Sequence, residues 1–158
     1  MSFNHFDASG NAIMVDVSQK TPTMRTAIAG AVLTLKPETV QSIVSGRVAK
    51  GDVLGVARIA GIGGAKKTCE LIPLSHPLAL HHVAVDFEVD EAGGRIEVKA
   101  TVRAFERTGV EMEAMAAAAV AALTVYDMCK GSDKGIVISD VKLHYKEGGK
   151  SGVYQREV

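Results

Sequence analysis

The sequence has few of the features that mark proteins binding nucleic acids. It contains no Trp, three Tyr and four Phe in 158 residues, too few aromatic side chains for the stacking surface that single-stranded nucleic acids need. Eighteen basic and eighteen acidic residues cancel, so the overall positive field that favours non-specific nucleic-acid binding is missing. We therefore expect no nucleic-acid partner, and any anion site must be formed locally.

Long apolar runs, a secretory leader and paired cysteines are also missing. The longest apolar run covers residues 114–123 and is mostly Ala, whereas a membrane-spanning helix needs about 20 residues. The N-terminus has no basic stretch followed by an apolar one, which predicts a cytoplasmic protein without membrane contact. Cys69 and Cys129 form no CxxC motif, so we expect reduced thiols rather than a disulfide or a zinc site.

Length and composition predict a single domain, residues 1–158, with less order over about 20 N-terminal and about 12 C-terminal residues. The apolar patterns and turn residues predict seven elements in the order strand, helix, helix, strand, strand, helix, strand. They cover residues 23–35, 37–46, 53–71, 110–130 and 136–145, and the two middle strands form a hairpin over residues 80–105 with its turn at 90–94. This order predicts a ferredoxin-like α+β sandwich, a mainly antiparallel sheet with helices on one face.

Two neighbouring charges near the end of the long helix are candidates for chemistry. Asp127 and Lys130 are three residues apart and so lie on one side of the helix. They form either an ordinary surface ion pair or an acid–base pair with shifted pKa values in a partly dry cleft.

A histidine in a constrained bend is the second candidate. His76 lies between Pro73 and Pro77, and rigid loops of this kind often present functional side chains, although an incidental turn histidine fits equally well. A metal site shared with His81 and His82 is the weaker alternative, because adjacent strand residues point to opposite faces.

Basic residues recur at the ends of the predicted elements. If the fold brings them together with the glycine-rich segments, they form a pocket for a polyphosphate; otherwise they are solvated surface charges. Residues 61–68 match neither GxxxxGK[ST] nor GxGxxG, so neither phosphate-loop motif is present. The basic residues in question are Arg25, Lys50, Lys66, Lys67, Lys130, Lys146 and Lys150.

Seven longer strings cover nearly the whole chain and are chemically unusual. They are MVDVS at 14–18, KGDV at 50–53, ARIAGI at 57–62, LIPLSHPL at 71–78, TGVEMEA at 108–114, AALTVYDMCK at 121–130 and GGKSG at 148–152. Together they resemble the MoaC family, the cyclic pyranopterin monophosphate synthases of molybdenum-cofactor biosynthesis. The resemblance implies a ferredoxin-like subunit in a homohexamer, a trimer of dimers with active sites at the dimer interfaces.

The resemblance also implies a reaction. The family converts 3′,8-cyclo-7,8-dihydroguanosine triphosphate into cyclic pyranopterin monophosphate and pyrophosphate, a lyase reaction of proton transfers without a redox step. It implies no bound cofactor or metal and leaves open whether Mg²⁺ assists the triphosphate. Residues 113 and 127 lie about 21 Å apart along one helix, too far to touch one reacting atom, so a second subunit has a role to play.

Carried over position by position, the resemblance assigns acid–base catalysis to Asp127 and Lys130, with Lys50 as a further catalytic lysine. Lys50 and Lys146 are expected to hold phosphate oxygens and to stabilise the departing pyrophosphate. The other residues expected to bind substrate are Leu74, Ser75, His76, Glu111, Met112, Glu113, Arg25, Lys66 and Lys150.

Two departures from the family pattern bear on these expectations. Ser75 stands where members often have Cys, so thiol chemistry is not required. Gly63 and Gly64 replace better helix formers and should weaken their helix by about 1 kcal/mol each unless packing needs small residues. The alternative function is a non-catalytic ferredoxin-like module that binds a small anionic ligand; an RNA-binding sheet lacks the paired aromatic residues it would need.

Overall fold

The computed structural model describes residues 5–157 and contains one five-stranded sheet. The strands run in the order β2-β3-β1-β4-β5, with every neighbouring pair antiparallel. The expected ferredoxin-like α+β fold is confirmed. The strands are β1 (Thr23–Thr34), β2 (His82–Asp90), β3 (Arg95–Glu106), β4 (Val137–Glu147) and β5 (Tyr154–Gln155), and the helices are α1 (Pro37–Val44), α2 (Val53–Lys66), α3 (Thr68–Leu71) and α4 (Glu111–Cys129).

The sequence did not predict β5. Two residues, Tyr154 and Gln155, pair with Lys146 and Tyr145 at the end of β4, inside the C-terminal stretch that we expected to be less ordered. Residues 1–4 and residue 158 lie outside the described part of the chain. The expectations of a single domain and of less ordered ends therefore stay predictions.

Alternation along the central strands places the core on one side of the sheet. In β3 the buried residues Ile96, Val98 and Val102 alternate with exposed charged residues, and small residues such as Ala29 and Ala31 of β1 lie opposite. Small side chains in the sheet allow a helix to pack close to it, and α4 occupies this position, with α2 beside it. The long axis of α4 thus runs across the buried face.

Helix α4 is long and apolar enough to cross a membrane by length and composition alone. Half of its most apolar 18-residue window is buried inside the fold, against the sheet and α2. An apolar core helix has the same composition, so the packing of α4 accounts for its hydropathy.

Glycines set the distance between α2 and α4. A Cβ atom added to Gly64 would lie 2.9 Å from the Val120 side chain and 3.2 Å from the Ala116 carbonyl oxygen, and one added to Gly61 would lie 2.9 Å from the Ala117 carbonyl. Nothing lies within 4 Å of a Cβ atom added to Gly63. Packing therefore requires glycine at 64 but not at 63.

The expected single helix over residues 53–71 is wrong, because it breaks at Lys67. The Thr68 hydroxyl donates to the carbonyls of Gly64 and Ala65 at 3.2 and 3.0 Å, and side chains that bond back to the preceding turn compete with the helix. Lys67 adopts φ −107° and ψ 10°, outside the helical range. The chain then continues as the short α3, which carries residues 72–78 back over the N-terminal end of α4.

Replacing the two adjacent glycines by alanine should have opposite effects. Gly64→Ala should lower the free energy of unfolding by about 1–3 kcal/mol, since the methyl group overpacks the helix interface. Gly63→Ala should raise it by up to about 1 kcal/mol, because alanine favours a helix and restricts the unfolded chain. Urea unfolding at one fixed protein concentration measures both. Equal effects of the two substitutions would contradict the packing argument.

Candidate active site

Three charged side chains meet at the C-terminal end of α4, and we call them the Asp127 cluster. One oxygen of Asp127 lies 2.8 Å from Lys130 Nζ and the other lies 3.2 Å from Lys50 Nζ. All three side chains are about half exposed, between 50% and 58%. Hydrogen bonds from both ammonium groups lower the pKa of Asp127, and the same contact raises the pKa of Lys130. The carboxylate is therefore ionised and bridges two cations.

Local backbone structure positions this cluster. Lys50 Nζ also donates to the Asp127 carbonyl at 2.8 Å, one of the carbonyls that a helix end leaves without an intrahelical partner. After Lys50 the chain turns at Gly51, whose φ is +93°, and Asp52 caps α2 by accepting from Gly55 N at 2.9 Å. Lys130 follows α4 directly as its C-terminal cap.

Asp133 braces the loop that follows and was missed in the sequence. The residue is 2% exposed, and its carboxylate accepts from Lys36 N at 2.9 Å, Thr39 Oγ1 at 3.2 Å and Gly135 N at 3.1 Å. These hydrogen bonds hold the pKa of Asp133 below its usual value. The loop after Lys130 is thereby tied to the N-terminus of α1. In the sequence, the only indication of this bracing role is the position of an Asp in a polar loop just after a helix.

A cavity of about 420 Å³ lies at the other end of α4, and we call it the Glu113 cavity. It brings together six of the predicted substrate-binding residues, from the bend after α3 and from the first turn of α4. These are Leu74, Ser75, His76, Glu111, Met112 and Glu113. Sequence reasoning missed other lining residues in the segment before β1, including Val15, Val17 and Lys20, because that segment has no periodic pattern.

His76 ties the N-terminal segment to this cavity. Its Nε2 lies 2.6 Å from the Val15 carbonyl oxygen, and since a carbonyl can only accept, Nε2 carries the proton. In the neutral ring, Nδ1 is then left as a hydrogen-bond acceptor. The histidine that the bend presents is thus held in one orientation.

Glu113 is the most perturbed acid of the site. Only 3% of the residue is exposed, and burial, with a smaller contribution from the negative charge of Glu111, raises its pKa from 4.5 to about 7. Glu113 and His76 also line a second cavity of about 340 Å³ that contains Lys66. Lys66 therefore lies near two of the predicted binding residues.

A third cavity of about 620 Å³, which we call the basic cavity, contains Arg25 and Lys150. Arg25 is 9% exposed, and its Nε and one terminal nitrogen donate to the carbonyls of Glu106 and Arg107, both at 3.2 Å. Lys146 Nζ is hydrogen-bonded to Ser151 Oγ, which lines the same cavity. Three of the predicted basic residues, Arg25, Lys146 and Lys150, thus lie at or next to the basic cavity.

One protomer does not bring all the predicted residues together. The Asp127 cluster and the Glu113 cavity lie at opposite ends of α4, about 21 Å apart at 1.5 Å per residue. Lys50 and Lys146, both expected at the phosphates, are likewise apart. Lys50 contacts Asp127, whereas Lys146 lies near the end of β4 and is hydrogen-bonded to Ser151 of the basic cavity.

The histidines do not gather into a metal site. Within residues 5–157, no three His, Cys, Asp or Glu side chains are grouped so that they could hold an ion. His81 Nδ1 accepts from Phe105 N at 3.3 Å and His76 bonds Val15, so the two rings serve different parts of the backbone. Both cysteines are free, with Cys129 buried and Cys69 partly exposed.

The raised pKa of Glu113 predicts a pH dependence of stability. The folded protein holds this proton more tightly than the unfolded chain does, so the stability falls as the pH rises from about 4.5 to about 7, by roughly 3 kcal/mol in total. Glu113→Gln should remove this loss, so the free energy of unfolding of the variant should rise relative to that of the native protein between pH 5 and pH 8. Urea unfolding at both pH values tests it.

The exposed Glu38 provides the matched control, because Glu38→Gln should keep the pH dependence of the native protein. If Glu113→Gln and the native protein lose stability in parallel over this range, Glu113 is not a buried, protonated acid.

Comparison with known proteins identifies the family. The MoaC family model matches residues 14–149. The chain is 74% identical over 157 residues to the cyclic pyranopterin monophosphate synthase of Geotalea uraniireducens (strain Rf4), across 99% of this chain and 98% of that one. It is 71% identical over 157 residues to that of Geobacter metallireducens, with the same coverage. The synthase of Chloroflexus aggregans is 54% identical over 154 residues, 98% of this chain and 93% of that one. The chain belongs to the MoaC family.

Proposed function

We propose that this protein is a cyclic pyranopterin monophosphate synthase that acts on 3′,8-cyclo-7,8-dihydroguanosine triphosphate in the cytoplasm. The observation that carries the proposal is the presence of two chemically different sites, the ionised Asp127 between two lysines and the buried Glu113, whose pKa is raised to about 7, beside His76. Relatives matched along 98% of their length carry this activity in their names.

The reaction requires both kinds of group. Opening and rebuilding the purine's five-membered ring moves protons between several ring atoms. Closing the cyclic phosphate forms a bond from a sugar hydroxyl oxygen to the innermost phosphorus, while the bond from that phosphorus to the bridging oxygen breaks and its electron pair leaves with pyrophosphate. The hydroxyl proton needs an acceptor, and the leaving pyrophosphate needs positive charge nearby.

Glu113 and Asp127 can perform different parts of this reaction, because their surroundings shift their pKa values in opposite directions. Near neutral pH Glu113 is part protonated, with a pKa of about 7, so it can both donate and accept a proton on the substrate ring. Asp127 stays ionised, because two ammonium groups lower its pKa, and it orients Lys50 and Lys130 toward the reacting atoms. Lys50, Lys146, Lys150 and Arg25 neutralise the phosphates.

The active site is built from two subunits. The ends of α4 are about 21 Å apart in one protomer, so the Asp127 cluster of one copy meets the Glu113 cavity of a second copy across a dimer interface. Exposed apolar side chains on α2 and α4 support such an interface, since Ile59 of α2 is 72% and Leu123 of α4 58% exposed. Three such dimers form the homohexamer.

Asp127→Asn should abolish turnover without unfolding the protein. We expect kcat to fall at least about 100-fold, the usual effect when acid–base groups are lost, because the neutral amide no longer holds the two lysines in place. The assay incubates purified protein with the cyclised triphosphate and detects pyrophosphate and the pterin product by mass. Asp140 makes a similar exposed ion pair with Lys142 at 3.3 Å, so Asp140→Asn is the matched control and should keep full activity.

Failure of the native protein to form product from intact substrate would remove the enzyme proposal. Full activity of Asp127→Asn would instead leave a synthase in which the Asp127 cluster has no catalytic role.

Mixing two inactive variants tests the shared site. If Asp127 and Glu113 act from different subunits, dimers that combine Asp127→Asn with Glu113→Gln contain one intact site and one doubly altered site. Random exchange after dissociation and reassembly should restore ~25% of native activity, because half of the dimers are mixed and each has one good site of two. If both residues serve the same site from one chain, mixing restores nothing.

A further inference from the structure

We propose that Asp133 is a positioning residue for catalysis, which sets the relative position of Lys50 and Lys130 in the Asp127 cluster. This inference rests on the proposed function and concerns a residue outside the predicted substrate-binding set. Asp133 lines neither the Glu113 cavity nor the basic cavity. Within residues 5–157 its carboxylate accepts from Lys36, Thr39 and Gly135 alone, and none of these is a predicted site residue. Asp133 therefore acts through the two backbone segments that carry the lysines.

The turn after α4 places Lys130. The Lys130 N–H donates to the Tyr126 carbonyl at 2.8 Å, and the N–H groups of Ser132 and Asp133 both donate to the Cys129 carbonyl, at 2.9 and 3.0 Å. These hydrogen bonds form a tight turn in which Lys130 lies between the end of the helix and Asp133. A displacement of Asp133 would therefore move the backbone from which the Lys130 side chain extends.

The carboxylate of Asp133 also holds the first turn of α1. It accepts from the Lys36 N–H at 2.9 Å and from the Thr39 hydroxyl at 3.2 Å. Helix α1 packs on the core through Val40 and Ile43, which are both buried, so it behaves as one rigid element. Asp133 thus fixes the end of α1 that the core residues do not hold.

From α1 to Lys50 the chain is a short series of hydrogen-bonded turns. The Arg47 N–H donates to the Ser42 carbonyl, and the Gly51 N–H donates to the Val48 carbonyl, both at 2.9 Å. Each bond links a residue to one three or five positions earlier, so the path from α1 to Lys50 has little freedom. The position of α1 is therefore passed on to the Lys50 backbone.

The two segments share the lining of a cavity of about 450 Å³. Residues 47–49 come from the segment before Lys50, and Cys129 and Ser132 come from the turn that contains Lys130. Side chains therefore do not fill the space between the segments, and close packing cannot fix their separation there. The hydrogen bonds of the buried Asp133 supply this connection, because a buried carboxylate keeps its hydrogen-bond partners in place.

Two variants test this role, and the first readout needs no substrate. Contact with Asp127, together with a smaller contribution from Tyr126, raises the pKa of Lys130 in the native protein, so a displaced Lys130 should have a lower pKa. We expect this decrease in Asp133→Asn and, to a smaller extent, in Thr39→Val, which removes one hydrogen bond without changing the charge. Competitive acetylation followed by mass spectrometry measures this pKa on the purified full-length protein in its native assembly.

The matched control is Asp90→Asn. Asp90 accepts from the Gly93 N–H at 2.9 Å in the turn between β2 and β3, and it belongs to neither of the two segments. Its replacement removes a carboxylate that binds backbone, as Asp133→Asn does, but should leave the pKa of Lys130 and the activity unchanged. Thermal unfolding and the size of the assembly identify the variants that are folded.

The activity assay separates positioning from a loss of stability. In Asp133→Asn, kcat should fall between about tenfold and about 100-fold, the effect of a misplaced catalytic group. The alkaline side of the pH profile should also move to lower pH, because Lys130 loses its proton at lower pH when it leaves Asp127. A loss of stability alone would reduce the amount of active protein and leave the pH profile where it is.

Two outcomes would overturn the role of Asp133. One is an unchanged pKa of Lys130 in both folded variants, with Thr39→Val deciding alone if Asp133→Asn does not fold, and the other is an equal decrease in Asp90→Asn. The proposed function fails separately, when the native protein releases no pyrophosphate from the cyclised triphosphate while the decrease in the pKa of Lys130 remains.

Discussion

The length of α4 is the constraint on which the rest of the structure depends. Nineteen residues hold two sets of polar groups at its ends, and close packing on Gly61 and Gly64 of α2 keeps the helix buried along the sheet. A buried, well-packed helix does not shorten or bend readily. The two sets therefore cannot meet within one chain, which is the reason why we propose that assembly of the subunits completes the active site.

Burial accounts for the different chemistry at the two ends. Glu113 is enclosed and its pKa rises to about 7, whereas Asp127 is exposed to water and to two ammonium groups, which lower its pKa. The pKa values of two carboxyl groups on one helix are thus shifted in opposite directions. Pairs of acids whose environments separate their pKa values are a common arrangement for acid–base catalysis.

Local patterns in the sequence predicted the parts that depend on local structure. The strand and helix order and the approach of Asp127 to Lys130 follow from periods of two and 3.6 residues. The contact of Lys50 with Asp127 spans 77 residues and came only from the family resemblance. The break at Lys67, the burial of Glu113 and the position of Lys20 depend on how irregular segments fold back onto α4, and no periodicity reports that. The need for glycine at position 64 likewise comes from a neighbouring helix, α4, and not from the local sequence.

The central claim is that the two ends of α4 meet between subunits. The most direct measurement is an experimental structure of the assembled protein, from which the shortest distance between Asp127 of one copy and Glu113 of another is read. The account predicts a distance well below the ~21 Å that separates these residues along one helix, with both side chains facing a common cavity. Intersubunit distances that all exceed this value would contradict it.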